Sequence, residues 1–298
     1  MPFNFQTDSR RPMCGFIRPP PILRPMCLIV FDWRPDAAAG PMLTLAANRD
    51  EFFTRASAPL DWWHDAPNVL AGRDLVGGGT WLGLSRDGRF AALTNHRDPR
   101  VFRVDAPTRG TLVADYLAGP PRAPLDYLHW VAERGAAYNG FNLIVGDLTT
   151  RTLGWYCNRA DTPPSLLPAG VHGISNAVLD TPWPKLVRKR DELGARVERE
   201  RTPTLEALIE IMRDPRIAPD EMLPSTGIAL ERERALSAAF IETNGYGTRG
   251  TTALRAAMND ATLEVEVIER SDDDGSHQLV RPGSYERRFS FDVEASCR

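Results

Sequence analysis

The chain has 298 residues, 42% of them hydrophobic and 25% charged, with a formal net charge of -3. That composition is ordinary for a globular protein long enough to bury a sizeable core. It excludes a nucleic-acid face built on long Lys/Arg blocks, and no stretch approaches the roughly 18–20 apolar residues of a membrane-spanning helix.

Four cysteines, Cys14, Cys27, Cys157 and Cys297, lie far apart without CxxC spacing, and the five histidines form no HxxxH pair. A cysteine-based zinc site or a helix-borne metal site is therefore not expected, and reduced thiols fit a cytoplasmic protein. Residues 1–25 hold six prolines among scattered arginines and lack the apolar region of a secretory signal. They read as a disordered or mis-assigned extension ahead of one domain over 26–298. The tetrapeptide Arg11-Pro12-Met13-Cys14 recurs as Arg24-Pro25-Met26-Cys27, a small duplication or a coincidence.

Strand text begins at Met26-Cys27. Residues 28–33 and 43–47 are apolar runs separated by Pro35, Asp36 and Gly40, which predicts a hairpin ending at Asn48-Arg49-Asp50-Glu51. The stretch with Trp62 and Trp63 reads as a loop. Residues 80–94 predict a second hairpin turning at Arg86-Asp87-Gly88 and ending on Asn95-His96. Gly77-Gly78-Gly79 lacks the GK[ST] of a phosphate loop, so close backbone packing is the better reading.

Helical spacing covers 109–118 and 125–138, a third hairpin 142–147 and 153–157, and a short strand 171–176 that finishes on Asn176. Pro182-Trp183-Pro184 permits a helix start, because proline suits the first turn. Helices are then expected over 185–200, 204–213 and 231–240, and strands over 248–258, 262–270 and 285–293. This order predicts an α+β fold of stacked antiparallel sheets with helices on the outer faces.

Several polar residues of similar chemistry fall at strand ends: Arg49 with Asp50, Asn95, Asn176, and Arg249 among threonines. A nucleophilic cysteine needs a cation nearby to favour its thiolate. An amide substrate needs donors at its developing oxyanion. If Cys27 were a first residue, its α-amine (pKa about 7.7–8.0) could serve as base for its own thiol (pKa about 8.5).

Met26-Cys27-Leu28-Ile29, Asn48-Arg49-Asp50-Glu51, Gly72-Arg73-Asp74, Gly78-Gly79-Thr80-Trp81-Leu82-Gly83, Leu93-Thr94-Asn95, Asn139-Gly140-Phe141-Asn142-Leu143, Ser175-Asn176 and Asp180-Thr181-Pro182-Trp183-Pro184-Lys185 together resemble the NRDE family, also called transport and Golgi organisation protein 2. The resemblance covers 26–293. It implies an αββα Ntn-hydrolase-like sandwich, distantly similar to cysteine amidases of the penicillin V acylase and bile-salt hydrolase type. By that likeness the catalytic set is Cys27, Arg49, Asp50, Asn95, Asn176 and Arg249. Cys27 attacks a non-peptide amide, Arg49 favours its thiolate, and Asn95 and Asn176 hold the oxyanion. Two departures are the Asn-Arg-Asp-Glu register and His96 where the amidases carry an aromatic residue.

The 25 residues ahead of Met26 leave three readings: initiation at Met26, a removed propeptide, or a scaffold used for binding. Eukaryotic members of the family are associated with Golgi organisation, secretion, lipid metabolism and haem transfer, which implies a non-catalytic alternative with a haem or lipid-like ligand. No cofactor is required on the enzyme reading. The expected partner is a small-molecule amide or a haem-like or lipid-like ligand, and the sequence carries no signal for an oligomeric state.

Overall fold

The computed structural model describes residues 26–97, 101–272 and 285–294, so the expected extension over 1–25 lies outside the described residues. Two sheets stack face to face. The first has the order β10 (Gly170–Ile174), β1 (Met26–Trp33), β2 (Leu43–Phe52), β12 (Tyr246–Asn259), β13 (Thr262–Ser271) and β14 (Tyr285–Glu294), with β11 (Glu242–Thr243) paired to β12. The second runs in chain order through β3 (Ser57–Trp62), β4 (Val69–Asp74), β5 (Leu82–Ser85), β6 (Arg89–Asn95), β7 (Phe141–Asp147), β8 (Thr152–Cys157) and β9 (Ser165–Leu166). All recorded pairings are antiparallel.

Helices α1 (Gly110–Ala118) and α2 (Pro124–Ala132) cover the outside of the second sheet. Helices α3 (Pro184–Glu200) and α4 (Leu205–Met212) cover the first, and α5 (Leu230–Leu236) lies beside its end. The expected αββα sandwich is therefore the observed one.

Strand alternation builds the layers. Ile29, Phe31 and Trp33 of β1 point between the sheets with Leu43, Leu45 and Ala47 of β2. Leu28, Val30 and Ala46 point the other way, against Leu186, Leu193 and Val197 of α3 and Leu208 and Ile209 of α4. Each such side chain contributes roughly 1.5–3 kcal/mol on leaving water. Pro184 opens α3 at its first turn, and the Thr204 hydroxyl caps α4 by accepting the Ala207 N–H at 3.2 Å.

The structure differs from the sequence reading in several places, including strands β4, β9 and β11, which that reading does not contain. The stretch read as a loop around Trp62 is strand β3, an edge strand that carries Pro59 and a register shift between Ala58 and Asp61. Proline is tolerated there because an edge strand has donors it need not use. Strand β2 continues to Phe52, so Asn48–Glu51 lies inside the sheet between β1 and β12. Helix α2 stops at Ala132, where Glu133-Arg134-Gly135 turns into a short 3-10 helix whose Gly135 carbonyl is held by the Asn158 amide. Helix α5 stops at Leu236, and Phe240 then donates its N–H to the Asp214 carbonyl at 2.9 Å.

Within the glycine cluster, Gly79 serves close packing, whereas Gly78 has open space around it and a positive φ of 75°. A Cβ on Gly79 would stand 2.3 Å from the Gly110 carbonyl carbon, where Thr80 N–H donates to the Gly110 oxygen at 3.2 Å. Gly79→Ala is expected to destabilise the protein by about 1–3 kcal/mol, as overpacking against backbone does. Urea unfolding of that variant checks it, and an unchanged midpoint would contradict the contact.

Candidate functional site

At one end of the sandwich the sheets part around a cavity of about 760 Å³, within the size range of small-ligand sites. Cys27, Arg49, Glu51, Asn95, Arg249 and Glu269 line its inner part, and loop residues after β4 and β6 form the mouth.

Register decides which expected residues reach it. Cys27 faces Arg49 across the β1–β2 pair, and Met26 faces Asp50. Cys27, Arg49 and Glu51 therefore share the inner face, while Met26 and Asp50 share the helix-facing side. Arg49 also lies opposite Gly250 of β12. A bulge between Thr248 and Gly250 inserts Arg249, which is re-aimed into the cavity. Its guanidinium pairs with Asp272 at 2.9 Å and also donates to the Arg55 and Phe52 carbonyls. Cys27, Arg49, Asn95 and Arg249 thus converge.

Asp50 and Asn176 do not line the cavity. The Asn176 side-chain amide donates to the Asn95 carbonyl at 2.9 Å, and the Asn176 backbone carbonyl accepts the Arg97 backbone N–H at 2.7 Å. Asn176 supports the strand end that carries Asn95. Asp50 accepts the Thr248 hydroxyl at 2.6 Å on the far face. Its second carboxylate oxygen and the Lys185 ammonium are both buried without a hydrogen-bond partner among the described residues. Burial raises the Asp50 carboxyl and lowers Lys185, each opposed by the other's charge.

The thiol itself departs from expectation. Cys27 is buried, and its pKa is pushed up to about 12 by desolvation first and by the Asp50 charge second. Arg49 and a backbone hydrogen bond with Asp50 pull the other way and are outweighed. Arg49 does favour the thiolate as expected, but burial outweighs it and the thiol stays well above its ordinary range. Met26 continues β1 ahead of Cys27, with its N–H donated to the Tyr246 hydroxyl at 3.0 Å. In a chain that retains Met26 the Cys27 nitrogen is a peptide amide, which cannot accept a proton.

Sequence reasoning missed the carboxylates of the cavity. Glu51 closes the NRDE motif and stands 3.6 Å from both Arg49 and Arg55. Glu269 accepts the Leu60 N–H at 2.8 Å and so ties β13 to β3 of the facing sheet. Alternation along 262–270 marks Glu269 as one of a strand's charged residues and carries no sign that it is buried. Burial raises both carboxyls above the usual glutamate range.

Two outcomes follow from these groups. Alkylation by iodoacetamide near pH 8 should be much slower at Cys27 than at an exposed thiol, and peptide mapping that finds rapid labelling would contradict the buried, protonated state. For Glu269 the folded state keeps a proton that the unfolded chain has released. Stability therefore falls as pH rises above the ordinary glutamate value of 4.5. Glu269→Gln keeps an acceptor for Leu60 and removes that cost. Its melting temperature relative to wild type should climb from pH 4 to pH 8; a constant or falling difference would refute the assignment.

The profile of the family described as Transport and Golgi organisation 2 matches residues 26–274. The chain is 38% identical over 261 residues to the Transport and Golgi organization protein 2 homolog of Bos taurus, covering 83% of this chain and 93% of that protein. It is 37% identical over 273 residues to the Homo sapiens homolog, covering 86% and 97%. With Transport and Golgi organization protein 2 of Drosophila melanogaster the identity is 28% over 246 residues, covering 75% and 85%. Among solved structures, the penicillin V acylase from Agrobacterium tumefaciens aligns with a TM-score of 0.41 at 10% identity, over 87% of this chain and 99% of that one. The Caenorhabditis elegans N-acylethanolamine-hydrolyzing acid amidase ortholog also aligns at 0.41, with 11% identity over 62% and 85%. With its family profile spanning almost the whole described domain, this chain belongs to the transport and Golgi organisation 2 family.

Proposed function

We propose that this protein is a non-catalytic carrier of the transport and Golgi organisation family that binds a small amphipathic acid in the cavity between its sheets. The observation that carries the reading is the charge of the wall. Arg49, Arg55, Arg73, Arg103, Arg109 and Arg249 line the cavity with four carboxylates, Glu51, Asp74, Glu269 and Asp272, and Asp65 beside them pairs with Arg73. Guanidinium groups bind carboxylates with short, charge-assisted hydrogen bonds. Leu93, Trp81, Phe102 and Val104 supply apolar wall for a hydrocarbon or ring body.

A lipid-like carboxylate satisfies both demands, and so does haem held through its propionates. Cys27 is a poor candidate for an iron ligand, because a thiol that keeps its proton does not offer thiolate. The names of the relatives, which refer to transport and Golgi organisation, accord with carriage.

The second reading is a hydrolase of a non-peptide C–N amide with Cys27 as nucleophile. One observation favours it. Asp50 lies directly across from Met26, so a chain beginning at Cys27 would present its ammonium beside a buried carboxylate. That reading requires a mature chain that starts at Cys27.

Titration of the purified protein with oleate and, in parallel, with haem separates the two. Saturable binding of at least one is expected, weakened about tenfold to hundredfold by Arg49→Met, the loss of one charged hydrogen bond. Absence of binding by either, with turnover of N-acyl amides by protein starting at Cys27, would replace the carrier with the enzyme.

A further inference from the structure

Residues 175–183 form a strap from β10 to α3 that ties the two sheets together behind the inner wall of the cavity. The Ser175 hydroxyl donates to the Cys27 carbonyl at 3.3 Å in the first sheet, and the Asn176 amide donates to the Asn95 carbonyl at 2.9 Å in the second. The Ala177 carbonyl accepts the Asn142 amide of β7 at 2.8 Å, and the Arg97 guanidinium lies 4.8 Å from the centre of the Trp183 ring. Cys27 and Asn95 both line the cavity, so the strap braces two of its wall residues.

His172 of β10 fastens this strap. Its Nδ1 lies 2.9 Å from Asp180 Oδ2, and its Nε2 lies 3.0 Å from the Pro168 carbonyl oxygen. Both partners are acceptors. The neutral ring has one N–H, so His172 donates to both only as an imidazolium. Asp180 completes the fastening: its Oδ1 accepts the Gly173 N–H, and its own N–H donates to the Gly173 carbonyl, each at 2.8 Å. These contacts hold Asp180 at φ 57°, in the left-handed region that a residue other than glycine occupies at a cost.

We propose that His172 and Asp180 form a pH-sensitive latch, closed while the imidazole is protonated, that loosens the strap behind the cavity when the proton leaves. The ring is 12% exposed, so that proton passes directly to solvent. The charges packed around it come from three elements. Asp180 lies on the strap. Arg190 of α3 stands 3.7 Å from the Asp180 carboxylate and 3.5 Å from Asp191. Asp32 of β1 pairs with Arg34 at 2.6 Å and feels the His172 charge. The Asp180 hydrogen bond raises His172 above its ordinary value of 6.5, against burial and the Arg190 charge. Burial opposes ionisation of Asp180 as well, but the His172 and Gly173 bonds hold its carboxyl below the usual range, so it stays ionised while His172 titrates. The latch therefore holds fully below pH 6.5 and is lost as pH rises through the raised value. Neither the ligand of the cavity nor the state of Cys27 enters it.

Hydrogen–deuterium exchange of the full chain at pH 6 and pH 8, with each rate divided by the intrinsic rate at that pH, tests the latch. Protection of peptides covering 173–183 should fall by about tenfold or more from pH 6 to pH 8, the loss of one hydrogen bond to a charged group, while peptides from β7 keep theirs. Asp180→Asn removes the carboxylate but keeps an acceptor for the Gly173 N–H and a residue suited to the left-handed backbone. Its strap should be poorly protected at both pH values. His172→Gln, which takes up no proton, should behave in the same way and serves where Asp180→Asn does not fold. Equal wild-type protection at the two pH values would overturn the proposal. So would a fall shared by β7, or a folded variant whose strap still loosens with pH as wild type does.

Discussion

Strand β2 is hydrogen-bonded along both edges, to β1 and to β12, and its alternation sorts the polar residues of this protein into two sites. Arg49 and Glu51 go inward to the cavity. Asn48 and Asp50 go outward to the helices, where the Asn48 amide holds the Met212 and Ala239 carbonyls at 2.9 and 2.7 Å and accepts the Thr251 hydroxyl at 2.7 Å. A slip of one residue would exchange the two sets, placing the cavity arginine among helices and the structural asparagine in the cavity. Both neighbouring strands and the bulge at Arg249 depend on that register.

The electrostatics of the inner face follow from depth. Near the floor, desolvation dominates: it keeps a proton on Cys27 despite Arg49, and it raises Glu51 and Glu269 despite their donors. Toward the mouth the arginines are engaged in ion pairs, Arg55 with Asp74 at 2.6 Å and Arg73 with Asp65 at 2.5 Å. The result is a cavity whose floor leans toward neutral groups and whose walls carry paired guanidinium and carboxylate groups. The far face has its own buried charges. Arg97 pairs with Glu233 at 2.7 Å and reaches the Met26 sulfur at 2.8 Å, while Lys185 and one oxygen of Asp50 remain without hydrogen bonds among the described residues.

Much of this architecture was legible in the sequence. Alternating apolar runs located most strands, Pro184 located the start of α3, and the resemblance brought Cys27, Arg49, Asn95 and Arg249 to one place. Two of the expected residues do not line the cavity: strand parity turns Asp50 to the helix-facing side, and the Asn176 amide is engaged with the Asn95 carbonyl. The thiol's state depended on the balance between burial and a neighbouring arginine, which sequence order does not express. Edge strand β3 escaped because Pro59 and two tryptophans read locally as a loop. Its strand pairing is decided by contacts with β4 and by Glu269 of the other sheet.

The carrier account is tested most directly by native mass spectrometry of the protein isolated gently from the cells that make it. The account predicts an added mass from an amphipathic acid that is lost on denaturation, with Cys27 unmodified. A mature chain starting at Cys27 that carries a covalent acyl group on that residue would contradict it.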